Sequence, residues 1–385
     1  MRIAIVGCGY VADYYMLTLR NHPNLAVSGA FDRKSDRLRE FTTFHKIPAY
    51  DSLSALLADT SVEMVLNLTN PGSHYEISRA ALESGRHVYS EKPLAMTIED
   101  AEDLVRIAAE RGLAITAAPC SILGEAALAA GQAIQNGRLG RVRLAYAEME
   151  DSMVFRERFH DWRSPSGAPW PADDEFAVGC TLEHAGYYLT WLCAFFGPAQ
   201  EITAFSARLF DQKGVPAPKG GWAGDFSVAC LRFADGVVAR LTCGLAAPKD
   251  RSLHVVGTEG TLTVTDGWNY RSGVWLRDPE GRPMSRIPKL PQAFGRIERY
   301  LPGRHWLGER LPLGPNRAVT PGYPSRMDFS RGPAATAEAL RAGKPVPMPA
   351  DFALHITELA LVAQDAARFP SPYKPRTAFA PLPIN

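Results

Sequence analysis

Residues Ile3-Ala4-Ile5-Val6-Gly7-Cys8-Gly9-Tyr10-Val11-Ala12 decide how this chain folds. A short apolar run breaks into Gly-x-Gly-x-x-Ala and then into a helical pattern. Asp32 stands twenty residues after Ala12, at the end of a second apolar run, Leu25 to Phe31. Strand, glycine turn, helix and a later acid make the layout of a dinucleotide site. Gly7 permits the tight turn, Gly9 lets backbone approach a pyrophosphate, and Ala12 is small enough for close helix–strand packing. The helix N-terminus faces the phosphates, and Asp32 can accept from ribose hydroxyls.

A chain of 385 residues exceeds one ordinary core and suits two domains. Its apolar fraction of 46% is that of a globular protein. A net charge of +1 gives no electrostatic case for nucleic acid or an anionic membrane. No apolar run approaches the ~20 residues of a membrane span. The first strand begins almost at the first residue, which leaves no room for a signal peptide and predicts a cytoplasmic protein. The cysteines (8, 120, 180, 193, 230 and 243) form no C-x-x-C pair. They read as buried free thiols, with neither a disulfide frame nor a metal site expected.

Residues 1 to about 118 alternate strand and helix. Strands are expected at Arg2–Val6, Leu25–Phe31, Met64–Leu68, His87–Ser90 and Ala114–Ala117, with helices near 11–21, 34–45, 73–84 and 97–111. That alternation predicts an α/β Rossmann domain, a doubly wound parallel sheet, over residues 1–120. Residues 121–385 change character. A helix over Gly124–Asn136 precedes strands at Arg141–Met149, Gln200–Arg208, Phe226–Phe233, Val237–Gly244, Ser252–Gly257 and Thr261–Thr265. Short turns at 234–236 and 258–260 join neighbours, so the second domain is α+β with a mostly antiparallel open sheet. Residues 268–335 are rich in Pro, Gly and Arg without periodicity and read either as a long surface excursion, the favoured reading, or as a cover over the active site. Asp351 is the expected N-cap of a last helix running to about Phe369.

The chain resembles the glucose–fructose oxidoreductase / inositol dehydrogenase / rhizopine-catabolism (Gfo/Idh/MocA) family. Glu91-Lys92-Pro93, Gly7-Cys8-Gly9-Tyr10-Val11-Ala12, Asn70-Pro71-Gly72-Ser73-His74 and the α+β second half carry the resemblance. It implies an NAD(P)-dependent oxidoreductase that moves hydride between nicotinamide and a secondary alcohol or ketone of a sugar, cyclitol or sugar derivative. The lysine of the Glu-Lys-Pro motif contacts the reacting oxygen in that family, which makes Lys92 the catalytic candidate. An ammonium there polarises a carbonyl or eases deprotonation of an alcohol. The Lys92–Pro93 bond is a candidate cis bond. Gly7, Gly9, Tyr10, Val11, Ala12, Asp32, Arg33, Thr69, Asn70, His74, Glu91 and Pro93 are the implied cofactor contacts. Asp32 favours NAD, because a carboxylate repels a 2′-phosphate, while Arg33 and Lys34 leave NADP open.

The sharpest departure from the family lies at Gly179-Cys180-Thr181-Leu182-Glu183-His184-Ala185-Gly186-Tyr187-Tyr188. Relatives usually carry Gly-Gly, then an aspartate, then a histidine four residues later, as substrate ligand and acid/base. The apolar run Tyr187–Phe196, closed by Gly197-Pro198, reads as a helix, and registering on Gly186 puts His184 and Tyr188 at those positions, one helical turn apart. Glu183 is the carboxylate if the register slips by one. Trp162 and Arg163 resemble a substrate-side loop, with Arg163 equally readable as a surface salt-bridge partner. Cys120 is expected to line the nicotinamide pocket. His355 and Glu358, three apart on the last helix, read as a packing contact. Two other readings stand beside the dehydrogenase: a lyase or glycosidase that oxidises transiently with recycled NAD, and a non-catalytic dinucleotide binder. The resemblance also implies a homodimer or homotetramer.

Overall fold

The computed structural model describes residues 1–279, 308–315 and 318–382. The first domain runs β1 (Arg2–Val6), α1 (Ala12–Leu19), β2 (Ala26–Phe31), α2 (Ser35–His45), α3 (Leu53–Ala58), β3 (Met64–Asn67), α4 (His74–Glu83), β4 (His87–Ser90), α5 (Ile98–Glu110) and β5 (Ile115–Ala117). All five strands are parallel, in the order β2-β1-β3-β4-β5. Both faces of β3 are buried, so it reads as a continuous apolar run. Thr97 caps α5 by accepting from the Asp100 amide at 3.1 Å. Ile98, Ala101, Leu104, Ile107 and Ala108 then fall on its buried face. The expected strands and helices appear within one or two residues. The short helix α3, capped by Ser52, was not expected.

The second domain continues α6 (Glu125–Gln135), β6 (Val142–Glu150), α7 (Ala172–Val178), α8 (Cys180–Phe196), β7 (Glu201–Ala207), β8 (Phe226–Arg232), β9 (Val238–Gly244), β10 (Leu253–Gly257), β11 (Thr261–Val264), β12 (Val274–Arg277), β13 (Glu309–Arg310), α9 (Arg331–Arg341) and α10 (Ala350–Gln364). Its sheet order is β13-β12-β11-β10-β6-β9-β8-β7, antiparallel except at the parallel β6–β9 pair. α8 is buried almost all round, because it lies between β9 and α10. α10 also packs on α5 and β5, so one apolar core continues from the first sheet to the second. No helix among the described residues is long and apolar enough to cross a membrane.

Four expectations need correction. The helix read as Tyr187–Phe196 starts at Cys180, because Gly179 (φ +96°) turns the chain directly out of α7. Pro349, not Asp351, occupies the N-cap of α10, and the helix ends at Gln364 before a 3-10 turn at Ala366–Arg368. Asp351 instead accepts from the adjacent Phe352 amide at 2.9 Å. The 268–335 excursion holds β12, β13 and the start of α9, and several of its residues line the cleft described below. Residues 280–307, 316 and 317 of that expectation lie outside the described residues.

Candidate active site

The carboxyl ends of the parallel strands open onto a cleft of about 1520 Å³, walled on its other side by the second domain. Open α/β sheets bind ligands at this edge. Gly7 has φ +93°, and a Cβ there would sit 2.6 Å from the Leu68 carbonyl oxygen, so only glycine fits the turn. A Cβ on Gly9 would meet nothing within 4 Å, which leaves the backbone open to the cleft. Tyr10 and Val11 line the cleft, and Ala12 packs inside as the first residue of α1. The Asp32 carboxylate accepts the Cys8 and Lys34 amides, each at 2.8 Å. Arg33 lies exposed beside it on the cleft wall. Arg37, which the sequence did not single out, donates Nε to the Cys8 carbonyl at 2.7 Å and also lines the cleft. The run of basic residues after Asp32 was the available signal, but nothing in it marked Arg37 over its neighbours.

Thr69 and Asn70 follow β3 onto the cleft, and Asn70 donates to Asp174 at 2.6 Å across it. His74 is fully buried outside the cleft lining. Its ring nitrogens face the Pro93 carbonyl at 2.6 Å and the Thr69 carbonyl at 2.9 Å. Burial lowers its pKa against the pull of those two acceptors. His74 and Pro93 therefore brace the loops that carry the lining residues, whereas both were expected to touch the cofactor directly.

Lys92 leaves the end of β4 and forms a direct ion pair with Glu183 of α8. Their side chains are 19% and 6% exposed. The Lys92–Pro93 bond is cis. Tyr15 donates to Glu91 at 2.7 Å, and Glu91 accepts the Lys92 amide at 3.2 Å. Burial alone would lower the Lys92 pKa, but Glu183, Glu175 and Glu91 outweigh it and hold the ammonium above the usual lysine range. Glu175 lines the cleft from α7, where burial and the Glu183 charge raise its pKa well above normal. The Gly179 turn brings Glu175 and Glu183 to one place. Sequence reasoning passed over Glu175 because α7 itself reads as an acidic loop.

His184 lines the cleft edge-on to Trp268, with ring centroids 5.3 Å apart. Its Nδ1 is buried without a hydrogen-bond partner among the described residues. Burial pushes its pKa down to about 4. Tyr187 also lines the cleft. Tyr188 does not. It is fully buried, its hydroxyl donates to the Arg251 carbonyl, and Gly267 packs against its ring. The expected pairing of His184 with Tyr188 is thus corrected: the cleft receives Glu183, His184 and Tyr187, the one-residue slip in register. Cys120 is likewise corrected. Its Sγ lies 3.0 Å from the Tyr270 hydroxyl in the core, away from the cleft.

Trp162 lines the cleft with its ring against Trp170 (5.3 Å) and Tyr323 (5.7 Å). Arg163 reaches the cleft wall, but Nη1 turns back to the His160 and Trp162 carbonyls at 2.8 and 2.9 Å. His355 and Glu358 face inward. His355 accepts the Ala199 amide, and Glu358 accepts from Tyr373 and the Arg376 and Thr377 amides.

Comparison with known proteins identifies the family. Residues 1–118 match the profile described as oxidoreductase family, NAD-binding Rossmann fold, and residues 127–263 match the GFO/IDH/MocA C-terminal domain. The chain belongs to the Gfo/Idh/MocA family. It is therefore an NAD(P)-dependent oxidoreductase. Among Gfo/Idh/MocA relatives, bovine trans-1,2-dihydrobenzene-1,2-diol dehydrogenase is 26% identical over 274 residues, 69% of this chain and 74% of that protein. An uncharacterized oxidoreductase of Schizosaccharomyces pombe is 28% identical over 222 residues, and the match spans 56% of each chain. The same fold appears in a Bordetella pertussis dehydrogenase solved with NADH and UDP-GlcNAcA: TM-score 0.70, 18% identity, 96% of this chain and 95% of that one. The residues present fit a dinucleotide, since the open Gly9 backbone and the Asp32 carboxylate occupy the two ends of its usual cradle.

Proposed function

We propose that this oxidoreductase acts on a secondary alcohol or ketone of a sugar, cyclitol or sugar derivative, with NAD favoured over NADP. The observation that carries the reading is the Lys92–Glu183 ion pair in the cleft beside the dinucleotide cradle. A nicotinamide held there would supply the hydride acceptor or donor. Gly7, Gly9, Tyr10, Val11, Asp32, Arg33, Thr69, Asn70 and Glu91 hold the dinucleotide. Lys92 hydrogen-bonds the reacting oxygen and stabilises the alkoxide that forms when an alcohol is oxidised. Glu183 orients the ammonium and keeps it charged, which makes Lys92 an electrostatic and hydrogen-bonding group and not a base. Neutral His184 accepts the alcohol proton. Tyr187 stays a phenol, because burial raises its pKa, and donates to the substrate. Trp162 offers an aromatic face to the substrate ring.

The same reading takes the division at 120/121 and a cytoplasmic homodimer or homotetramer. The outward face of the second sheet, where Phe205 is 59% exposed on β7, supports the oligomer, and light scattering tests it. A second reading, a lyase or glycosidase that recycles bound NAD, is favoured by one feature. Ser164 and Ser166 of the second domain are hydrogen-bonded to Asp13 of the first, across the dinucleotide cradle. The deciding experiment incubates purified protein with NAD or NADP and a panel of sugars, cyclitols and nucleotide-sugars. Stoichiometric reduced nicotinamide with one compound supports the dehydrogenase. Product without net reduction supports the recycling enzyme. Neither, with dinucleotide bound, overturns both.

A further inference from the structure

Beyond Lys92 the second-domain wall of the cleft is built around Arg251. Its side chain is 5% exposed, and its guanidinium lies 3.5 Å from the centroid of the Trp268 ring. One edge of the guanidinium pairs with Asp151. Its Nε is buried without a hydrogen-bond partner among the described residues, and so is Nε1 of Trp268. Both groups only donate. A buried donor without an acceptor costs roughly 1–3 kcal/mol, and two in one stacked pair require a common explanation. Both residues line the cleft, and their two buried donors stand just behind its surface, where an acceptor entering from the cleft would meet them after a small side-chain shift.

The charges nearby point the same way. Lys92 and Arg251 have carboxylate partners in Glu183 and Asp151. Lys249 and Arg326 line the same wall, and neither has a carboxylate within ion-pair distance among the described residues. Asp266 also lines this wall within electrostatic reach of Arg251 and Lys249, so the positive charge of these cations is partly offset, and it stands beside two unpaired donors. We propose that Arg251 and Trp268 form a subsite for a carboxylate of the substrate, so that the enzyme acts on hydroxyl groups of sugar acids in preference to neutral sugars. The inference rests on the sugar-type alcohol reading above and narrows it. A planar carboxylate matches the free edge of a stacked guanidinium and takes both donors at once, while Lys249 supplies longer-range attraction.

The test uses full-length protein saturated with NADH and titrated calorimetrically with D-gluconate, D-glucuronate, D-glucitol, D-glucose and D-glucose 6-phosphate. Each acid should bind about tenfold or more tightly than its neutral counterpart, the scale of one charge-assisted contact. Arg251→Gln should erase that difference. Lys249→Gln, at an exposed position that does not threaten folding, should reduce it and weaken its salt dependence. Equal binding of acid and neutral compound by the wild type would overturn the subsite. So would failure of both acids to bind, or tighter binding of the phosphate. Turnover separates this from the broader reading. Preferential binding of the acids, with no nicotinamide oxidised or reduced by any polyol, would leave the subsite standing and remove the dehydrogenase.

Discussion

Lys92 and Glu183 meet in a direct ion pair across the cleft, although 91 positions separate them in the chain. One comes from the ligand edge of the parallel sheet and the other from the first turn of α8, so the pair forms only when both domains are in place. Lys92→Ala should keep dinucleotide affinity and lose turnover by ~10²-fold or more, because electrostatic and hydrogen-bonding roles vanish together. Near-normal turnover would remove Lys92 from the chemistry. Glu183→Gln should act differently. Glu183 is the largest influence raising the Lys92 pKa, so its loss lowers that pKa. The pH profile of kcat/KM should then gain an alkaline limb that the wild type lacks, and an unchanged profile would show that Glu183 does not govern Lys92.

Adjacent tyrosines separate the two possible registers of α8. Tyr188 donates to the Arg251 carbonyl in the core, so Tyr188→Phe should cost roughly 1 kcal/mol of stability and leave kcat within about twofold. Tyr187 lines the cleft, so Tyr187→Phe should keep stability and lower kcat about tenfold or more. Thermal melts and steady-state kinetics on the two variants suffice. The opposite outcome would restore Tyr188 to the site.

That pair also shows how far the sequence reaches. The first sheet is legible because parallel strands covered on both faces read as unbroken apolar runs, and the glycine turn and Asp32 mark its ligand edge. Lys92, Glu91 and Trp162 were legible by motif. The register of α8 was not, because residues 183–184 and 187–188 differ by about 100° on a helix whose every face is apolar or aromatic, and no stripe distinguishes them. α7 was invisible because Asp173, Asp174 and Glu175 give it the composition of a loop. β12 and β13 hold four and two residues within Arg- and Gly-rich surroundings, too short for a period to emerge. Cys120 was placed by its nearness in sequence to β5, whereas its burial is decided by Tyr270, 150 positions away.

Acid should destabilise the fold before it reaches the usual carboxylate range. His184 has its pKa pushed down to about 4, against about 6.5 in an unfolded chain. Between those values the unfolded state binds more protons, so stability falls as pH drops from about 6.5 and this loss is complete near 4. The contribution is about 3 kcal/mol for His184 alone. Burial lowers His74 and His355 in the same sense. Urea midpoints measured between pH 7 and 4 should decline steadily, and His184→Gln should flatten part of that slope. A flat wild-type midpoint over this range would contradict a neutral buried His184.

Asp32→Ser should shift preference from NAD toward NADP, since the carboxylate that repels a 2′-phosphate is gone while Arg33, Lys34 and Arg37 remain. The variant should also melt earlier, because Asp32 accepts the Cys8 and Lys34 amides. The ratio of kcat/KM for the two cofactors is the readout. An unchanged ratio would mean that Asp32 serves the turn and not the ribose.

Asp13 offers the last test, on cofactor exchange. It sits one residue into α1, fully buried, and its carboxylate accepts the Ser166 amide at 3.1 Å and the Ser166 hydroxyl at 2.7 Å. Ser164 and His45 complete its contacts. Burial opposes its ionisation, but the bonds from His45, Ser164 and Ser166 outweigh that and hold its pKa below the usual value. Arg37 adds a bond to the Ser166 carbonyl at 2.9 Å. Trp162, Arg163, Pro169 and Trp170 of the same segment line the cleft, so the segment crosses the dinucleotide cradle while latched to the helix that begins it. Dinucleotide is expected to leave faster when this latch is weakened. Asp13→Asn should weaken it by the ~1.5–3 kcal/mol of a charged hydrogen-bond acceptor, and NADH should leave tenfold or more faster in stopped-flow fluorescence. Hydride transfer in a single turnover with cofactor already bound should stay within about twofold, since Asp13 touches neither Lys92 nor His184. An unchanged release rate in a folded variant would show that the cofactor leaves by another path.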